Sequence, residues 1–287
     1  MKTTLVIGAH GYLGRAIVDH LRGVGQKVVT SSSSPRHGID VVTATRAELQ
    51  ATLDTADFTR VITCVQLGRE CSSWIAGLVD GPRWIVMSSA QLNTTVPNPL
   101  DAAARNNERL AVGHGALVVR PTMIYGHGND GNVSVLARRL LKIGVAPLVD
   151  RGNVLLQPIH VDDVVDAVTR TTQRSSGVFC VGGSEPTSAR ELIGDIAELL
   201  GRKFRAIPVS ATTLRVAAYC APLAGLRPDQ ILRLLEDKTV DNVPFTQCTG
   251  WTPQPHAVRL EQAMSELMNS ASPDRLFAAS PCERVAA

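Results

Sequence analysis

The chain has 287 residues, 44% hydrophobic and 19% charged, with a formal net charge of +3. That is enough for one large α/β domain or a domain plus a cap. The positive charge is too small and too scattered for a nucleic-acid surface, and aromatics at 4% give no base-stacking platform.

Six cysteines, at 64, 71, 180, 220, 248 and 282, form no C-x-x-C pair. No zinc site, other metal site or redox pair is expected, and the thiols read as reduced residues of a cytoplasmic protein. The chain opens directly on a strand rather than on a signal peptide, and no apolar run reaches the ~20 residues needed to span a membrane.

In chain order, Thr4-Leu5-Val6-Ile7 is a β-branched, apolar run of the kind buried on both faces of a parallel sheet. Gly8, Gly11 and Gly14 follow as G-x-x-G-x-x-G. Gly8 permits a tight exit from the strand, Gly11 lets the backbone approach a diphosphate, and Gly14 lets the next helix pack closely. Leu13, Ile17 and Leu21 recur at helical spacing, so a helix over 12–22 presents its N-terminal amides to the anion. A second strand at Lys27–Thr30 completes the context that the dinucleotide reading requires. The cofactor site predicted here comprises Gly8, His10, Gly11, Tyr12, Leu13 and Gly14.

At the end of that second strand an Asp or Glu would bind the two ribose hydroxyls of NAD. This chain has Ser31, Ser32, Ser33 and Ser34, then Arg36 and His37. Hydroxyls with a guanidinium suit a 2′-phosphate, so NADP is preferred over NAD, with Ser31, Ser32 and Arg36 as ligands. Beyond it, a strand at Ile39–Val42, a helix over 46–53, a strand from Arg60, a helix over 71–79 and a strand from Trp84 continue the alternation. That pattern predicts a Rossmann-like, doubly wound parallel sheet in the α/β class, with the site along the strand C-termini.

Five stretches then carry a resemblance: VIGAHGYLG, WIVMSSA, LVVRPTMIYGHG, QPIHVDDVVDAV and RPDQILRLLEDK…GWTP. Together they make the chain resemble the extended or atypical short-chain dehydrogenases/reductases, near the NAD-dependent epimerase/dehydratase group of nucleoside-diphosphate-sugar epimerases. The resemblance spans about residues 3–265. It implies a catalytic Ser89, cofactor contacts from Ser88, Arg120, Pro121 and Thr122, and a substrate pocket with Ser89, Gln91, Tyr125, His127 and His160. It also implies a dinucleotide-binding domain over 1–175 with returns from the later chain, a small α/β cap over 176–268, and a homodimer through paired helices. The tail, 269–287, is small and polar and is expected to be loosely ordered.

The resemblance further implies a Tyr-x-x-x-Lys pair on the helix after Ser89, and here the chain departs from it. That helix reads LDAAARNNERL from Leu100, and depending on register Leu100 and Ala104, or Asp101 and Arg105, stand at the two positions. No tyrosine lies between Tyr12 and Tyr125, and no lysine between Lys27 and Lys142. Asp101 is a candidate base, or else a helix N-cap or first-turn acid. Tyr125 is a candidate proton donor or a wall residue, and His127 and His160 titrate near neutrality, His160 more simply organising the strand–helix junction with Asp162 or Asp163.

Two functions follow. One is an atypical NADP-dependent reductase or epimerase-like enzyme on a small metabolite, or a non-redox isomerase or cyclase reusing the pocket. The other is a dinucleotide-binding sensor or assembly partner without catalysis.

Overall fold

The computed structural model describes residues 3–81, 83–96, 98–171, 176–221 and 227–269. The expected tail and Cys282 lie outside the described residues. Seven parallel strands form the main sheet: β1 Thr3–Ile7, β2 Lys27–Ser32, β3 Val41–Val42, β4 Arg60–Thr63, β5 Trp84–Met87, β6 Leu117–Pro121 and β11 Gly177–Val181. Their spatial order is β3-β2-β1-β4-β5-β6-β11. The order reverses beside β1, which is where such a sheet opens a crevice at its strand C-termini.

Apolar residues on both faces explain why these runs do not alternate with polar ones. Leu5, Ile7, Val61, Trp84, Val86 and Val118 pack under α2 (Arg46–Thr55), α3 (Glu70–Ala76) and α4 (Pro99–Gly113). Val6, Ile62, Ile85, Met87, Leu117 and Val119 face α1 (Tyr12–Gly23) and α6 (Val161–Arg170). Burial of this extent, at about 25 cal/mol per Å² of apolar surface, is the main force holding the layers together. Thr45 starts α2 through a capping box with Glu48.

A third core lies beside the sheet. It gathers Val133, Ala137 and Leu140 of α5 (Val133–Ile143), Ala146 and Leu148 of β8 (Val145–Val149), Leu192, Ile193 and Ile196 of α7 (Ala189–Leu199), and Leu260, Met264 and Leu267 of α11 (His256–Asn269). β8 pairs with β13 (Arg205–Val209) in parallel. Ser188 and Glu191 form the capping box that starts α7, as their spacing predicts.

The chain therefore crosses between cores. Gly177–Val181, expected in the cap, is the edge strand of the main sheet, because β11 pairs with β6 from Gly177–Leu117 to Val181–Pro121. Conversely, α5 and β8 join the later elements. Among the described residues there is no disulfide, no helix long and apolar enough to cross a membrane, and no cluster of three or more potential metal ligands.

Candidate functional site

Two adjoining cavities, of about 460 and 440 Å³, run along the strand C-termini and share Cys64, Val65, Gln66 and Arg69. The second begins at the glycine turn. Gly8 has φ +78°, a backbone conformation that favours glycine. A Cβ on Gly14 would lie 2.3 Å from the Gly8 carbonyl oxygen, so only glycine lets α1 start this close to β1. At Gly11 a Cβ would meet only the Gly8 oxygen, at 3.4 Å, with its remaining surroundings open. Gly11 is the N-cap of α1 and makes no side-chain cap bond. The first-turn amides of α1 thus remain available to an anion.

Of the residues predicted for the cofactor site, Gly8, His10, Gly11, Ser32 and Arg36 line this cavity, together with Ser33, Ser34, Arg69 and Cys71. Burial first, and then the nearby Arg36 and Arg15, push the His10 pKa down. The charged side chains described in the cavity's lining, Arg36 and Arg69, are both cationic. No Asp or Glu is among the described residues that line it. Asp40, the acid next after β2, instead accepts hydrogen bonds from the Thr30 amide and hydroxyl, both at 2.8 Å. Ser31 departs from expectation. In β2 successive side chains point to opposite faces, so Ser32 reaches the cavity while Ser31 is buried against the Thr43 hydroxyl.

The first cavity continues past Leu13, Ser88, Ser89, Gln91 and Pro121. Ser89 caps the short turn Ala90–Asn93, its Oγ accepting the Gln91 amide at 3.2 Å, which leaves its hydroxyl proton available to a ligand. Ser88 also lines the cavity, but its hydroxyl is donated to the buried Glu108 carboxylate. The Arg120 Nε donates to the same carboxylate at 2.9 Å and its Nη1 to the Asn93 side chain at 3.0 Å. Arg120 therefore ties β6 to α4 and lines neither cavity. The buried Thr122 hydroxyl is likewise donated to the Gln157 carbonyl. Tyr12 donates its hydroxyl to the Gly126 carbonyl at 2.9 Å, so its side chain clamps a loop rather than the cofactor cleft.

Three expected pocket residues lie elsewhere. Tyr125 is buried in the third core, its ring edge-on to His160 at 5.3 Å, and burial raises its pKa. It is therefore neither in the cavity nor able to act as a ready acid. His160 is buried as the N-cap of α6, its Nδ1 accepting the Asp162 amide, and burial pushes its pKa down to about 4. His127 pairs with Asp162 at 2.9 Å, and that partner raises its pKa. The loop from Gly126 to Gly131 is braced from within by the buried Asp130. Its carboxylate accepts the Gly126 amide at 3.2 Å and the Asn132 amide at 2.9 Å.

Asp101 does face the cavity, with Leu100 and Ala104 beside it. It is not a free base: it is buried and ion-paired with Arg233. Asn98, not Asp101, caps α4, accepting the Leu100 amide at 2.9 Å. No tyrosine, lysine or histidine is among the described residues lining this cavity.

Sequence reasoning missed the far wall. Arg227, Gln230 and Arg233 reach the cavity from α9 (Pro228–Leu232) and its flanks, while Gln66 and Arg69 reach it from the β4–α3 turn. RPDQILRLLEDK stood out in the sequence, but its spacing carried no sign of a partner more than a hundred residues earlier.

No family model matches the chain. An uncharacterized protein, y4nG, of Sinorhizobium fredii is 28% identical over 114 residues, which is 39% of this chain and 28% of that protein's length. The chain thus matches little more than a quarter of its curated relative. Solved structures align over nearly the whole chain. A dTDP-glucose 4,6-dehydratase of Bacillus anthracis, in complex with NAD, superposes with a TM-score of 0.73 at 13% identity, covering 96% of this chain and 99% of that one. A UDP-glucose 4-epimerase of Thermus thermophilus, also with NAD, gives 0.72 at 17% identity, covering 94% and 100%. An ADP-L-glycero-D-manno-heptose-6-epimerase of Helicobacter pylori gives 0.67 at 15%, covering 97% of each chain. The chain therefore has the Rossmann-like α/β fold of the NAD-dependent sugar epimerases and dehydratases.

Proposed function

We propose that this chain is a nicotinamide-dinucleotide-dependent enzyme of the epimerase, dehydratase or reductase kind, acting on a small metabolite without a tyrosine proton relay. The observation that carries this reading is the glycine turn. An uncapped helix N-terminus opens on a cleft that continues past Ser89 into a second cavity. The donor set fits the group. Gly8, Gly11 and the first amides of α1 would hold the diphosphate, with Leu13 between the two halves. Ser32, Ser34, Arg36 and His10 would hold the adenosine end. Their cationic character, with no carboxylate among the described lining, supports NADP over NAD. The bound dinucleotide would supply hydride exchange.

Ser89 donates a hydrogen bond to the substrate carbonyl or hydroxyl, and the shape of the first cavity orients the substrate. Asp101 is buried and held by Arg233, so water or Ser89 is left to handle the proton. A substrate that needs little proton assistance, such as a conjugated or iminium acceptor, suits this wall best. A second reading, a ligand-binding sensor without turnover, is favoured by the lack of Tyr, Lys and His in the described lining.

The test is to titrate the purified protein with NADPH and NADH by nicotinamide fluorescence, then to add carbonyl and imine acceptors. Tight NADPH binding with oxidation is the expected result. Binding without turnover supports the sensor. No binding of either nucleotide overturns both readings.

A further inference from the structure

The wall of the first cavity opposite Ser88 and Ser89 carries a buried charge pair with unfinished bonding. Asp101 is 7% exposed and Arg233 4%. The Arg233 Nη2 donates to Asp101 and, at 3.0 Å, to the Val96 carbonyl. Its Nε is buried and has no partner among the described residues. A guanidinium is a fork of several donors, and among the described residues this one is seen to use a single nitrogen. Buried donors are almost always satisfied in a folded chain.

The setting is cationic. Among the described lining, Arg69, Arg227 and Arg233 stand against a single acid, Asp101. Arg227 is answered by Asp229 at 2.8 Å, outside the lining. Arg233 is also held in place from both sides. Glu236 accepts hydrogen bonds from Thr94 and Thr95, and Asn98 donates to Asp229 at 2.7 Å. The segment 227–236 is thereby latched onto the loop 94–101, and Arg233 is a fixed cation, not a mobile surface arginine.

We propose that Arg233 anchors an anionic group of the substrate, a carboxylate or a phosphate, with Asp101 as the internal counter-charge that holds the guanidinium before the substrate arrives. This rests on reading the first cavity as the substrate end of the cleft. A bound anion completes the unfinished side of the guanidinium and shares its charge with Asp101. Asp101 then opposes the ligand electrostatically while it orients the ligand's anchor. The two residues therefore have opposite effects on binding, which a purely structural ion pair would not.

The experiment is calorimetric titration of the full chain with pyruvate, glycerol 3-phosphate and, as neutral control, glycerol. One of the two anions binds, more weakly as salt rises, and glycerol does not; which anion binds identifies the group. Arg233→Gln weakens that binding at least tenfold. Asp101→Asn, which keeps a hydrogen bond to Arg233, tightens it severalfold. Arg233→Lys retains part of the affinity and replaces the Gln variant if that variant does not fold.

Failure of both anions to bind, unchanged affinity in Arg233→Gln, or weakening in both Arg233→Gln and Asp101→Asn overturns the anchor. NADPH titrated in parallel separates the two ideas. Nucleotide affinity unchanged across the variants locates the effect in the first cavity. Anion binding by a protein that takes no NADPH overturns the dinucleotide reading and leaves the anchor standing.

Discussion

At the glycine turn, seven consecutive residues, Gly8 to Gly14, build the site from backbone. Beside Ser89, the site is built from side chains: Asp101 of α4 meets Arg233 across 132 positions of sequence. The first half is exacting about the space at its glycines and tolerant of most side chains around them. The second half is the reverse, since its backbone is ordinary helix and loop and its chemistry lies in which charged groups meet. A binding half made of backbone recognises something common to many ligands. A half made of long-range side-chain pairs can be changed residue by residue, and there the described lining holds no tyrosine, lysine or histidine.

The largest effect tests the backbone half. In Gly14→Val the new side chain starts 2.3 Å from a carbonyl oxygen that cannot move without β1. It should cost about 3 kcal/mol or more of stability in urea unfolding. Gly11→Val should fold normally, because its Cβ meets only one atom at 3.4 Å, and should still lose dinucleotide binding. Unchanged nucleotide affinity in that folded variant would remove the turn from the cofactor site.

Acid should loosen the molecule away from both cavities. Burial holds His160 at about 4 against an ordinary 6.5, despite the facing Asp162 and Glu266, with Arg259 and His127 adding to the depression. His256 is lowered too, and both its ring nitrogens are buried without a hydrogen-bond partner among the described residues. A depressed folded pKa means that the unfolded chain takes up protons first as pH falls. The associated stability is therefore intact above about 6.5 and is lost progressively toward pH 4, by up to ~3 kcal/mol for His160. His127, raised by Asp162, gains as it protonates and offsets part of the loss. Urea midpoints at pH 7.5 and pH 5 measure this, and His160→Gln should flatten the difference. A pH-independent midpoint in the parent protein would contradict the buried neutral state.

Smaller effects probe each half by one hydrogen-bonding group. Ser89→Ala should lower turnover about tenfold or more once a substrate is found, with the fold intact. A wild-type rate would take Ser89 out of the chemistry. Arg36→Ala should reduce the preference for NADPH over NADH about tenfold, leaving NADH affinity nearly unchanged. Equal losses for both nucleotides would place Arg36 on a shared part of the cofactor and not on the 2′-phosphate.

Much of this molecule was determined by local sequence. Thr4 to Ile7 had to be a strand buried on both faces, the glycine spacing had to open a helix, and Ser188 with Glu191 had to start one. These features depend on periodicity and on backbone conformations a few residues long. The parallel, doubly wound sheet then followed from the βα alternation, although the edge place of Gly177–Val181 did not.

What the sequence did not determine was where individual side chains point once distant elements meet. Ser31 and Ser32 look alike in sequence, yet the pleat sends one into the sheet and the other into the cleft. Tyr125 sits in a stretch that resemblance assigns to the pocket, but packing against His160 and the third core turns it away. Asp101 reads as a candidate base or a residue of the helix start, and nothing in the spacing singles out Arg233; only the docking of residues 227–236 onto the residues before α4 makes them a pair. Local sequence sets backbone geometry because its energetics are short-ranged. The charges of the cavity are set by contacts over more than a hundred residues, which exist only after the cores have formed.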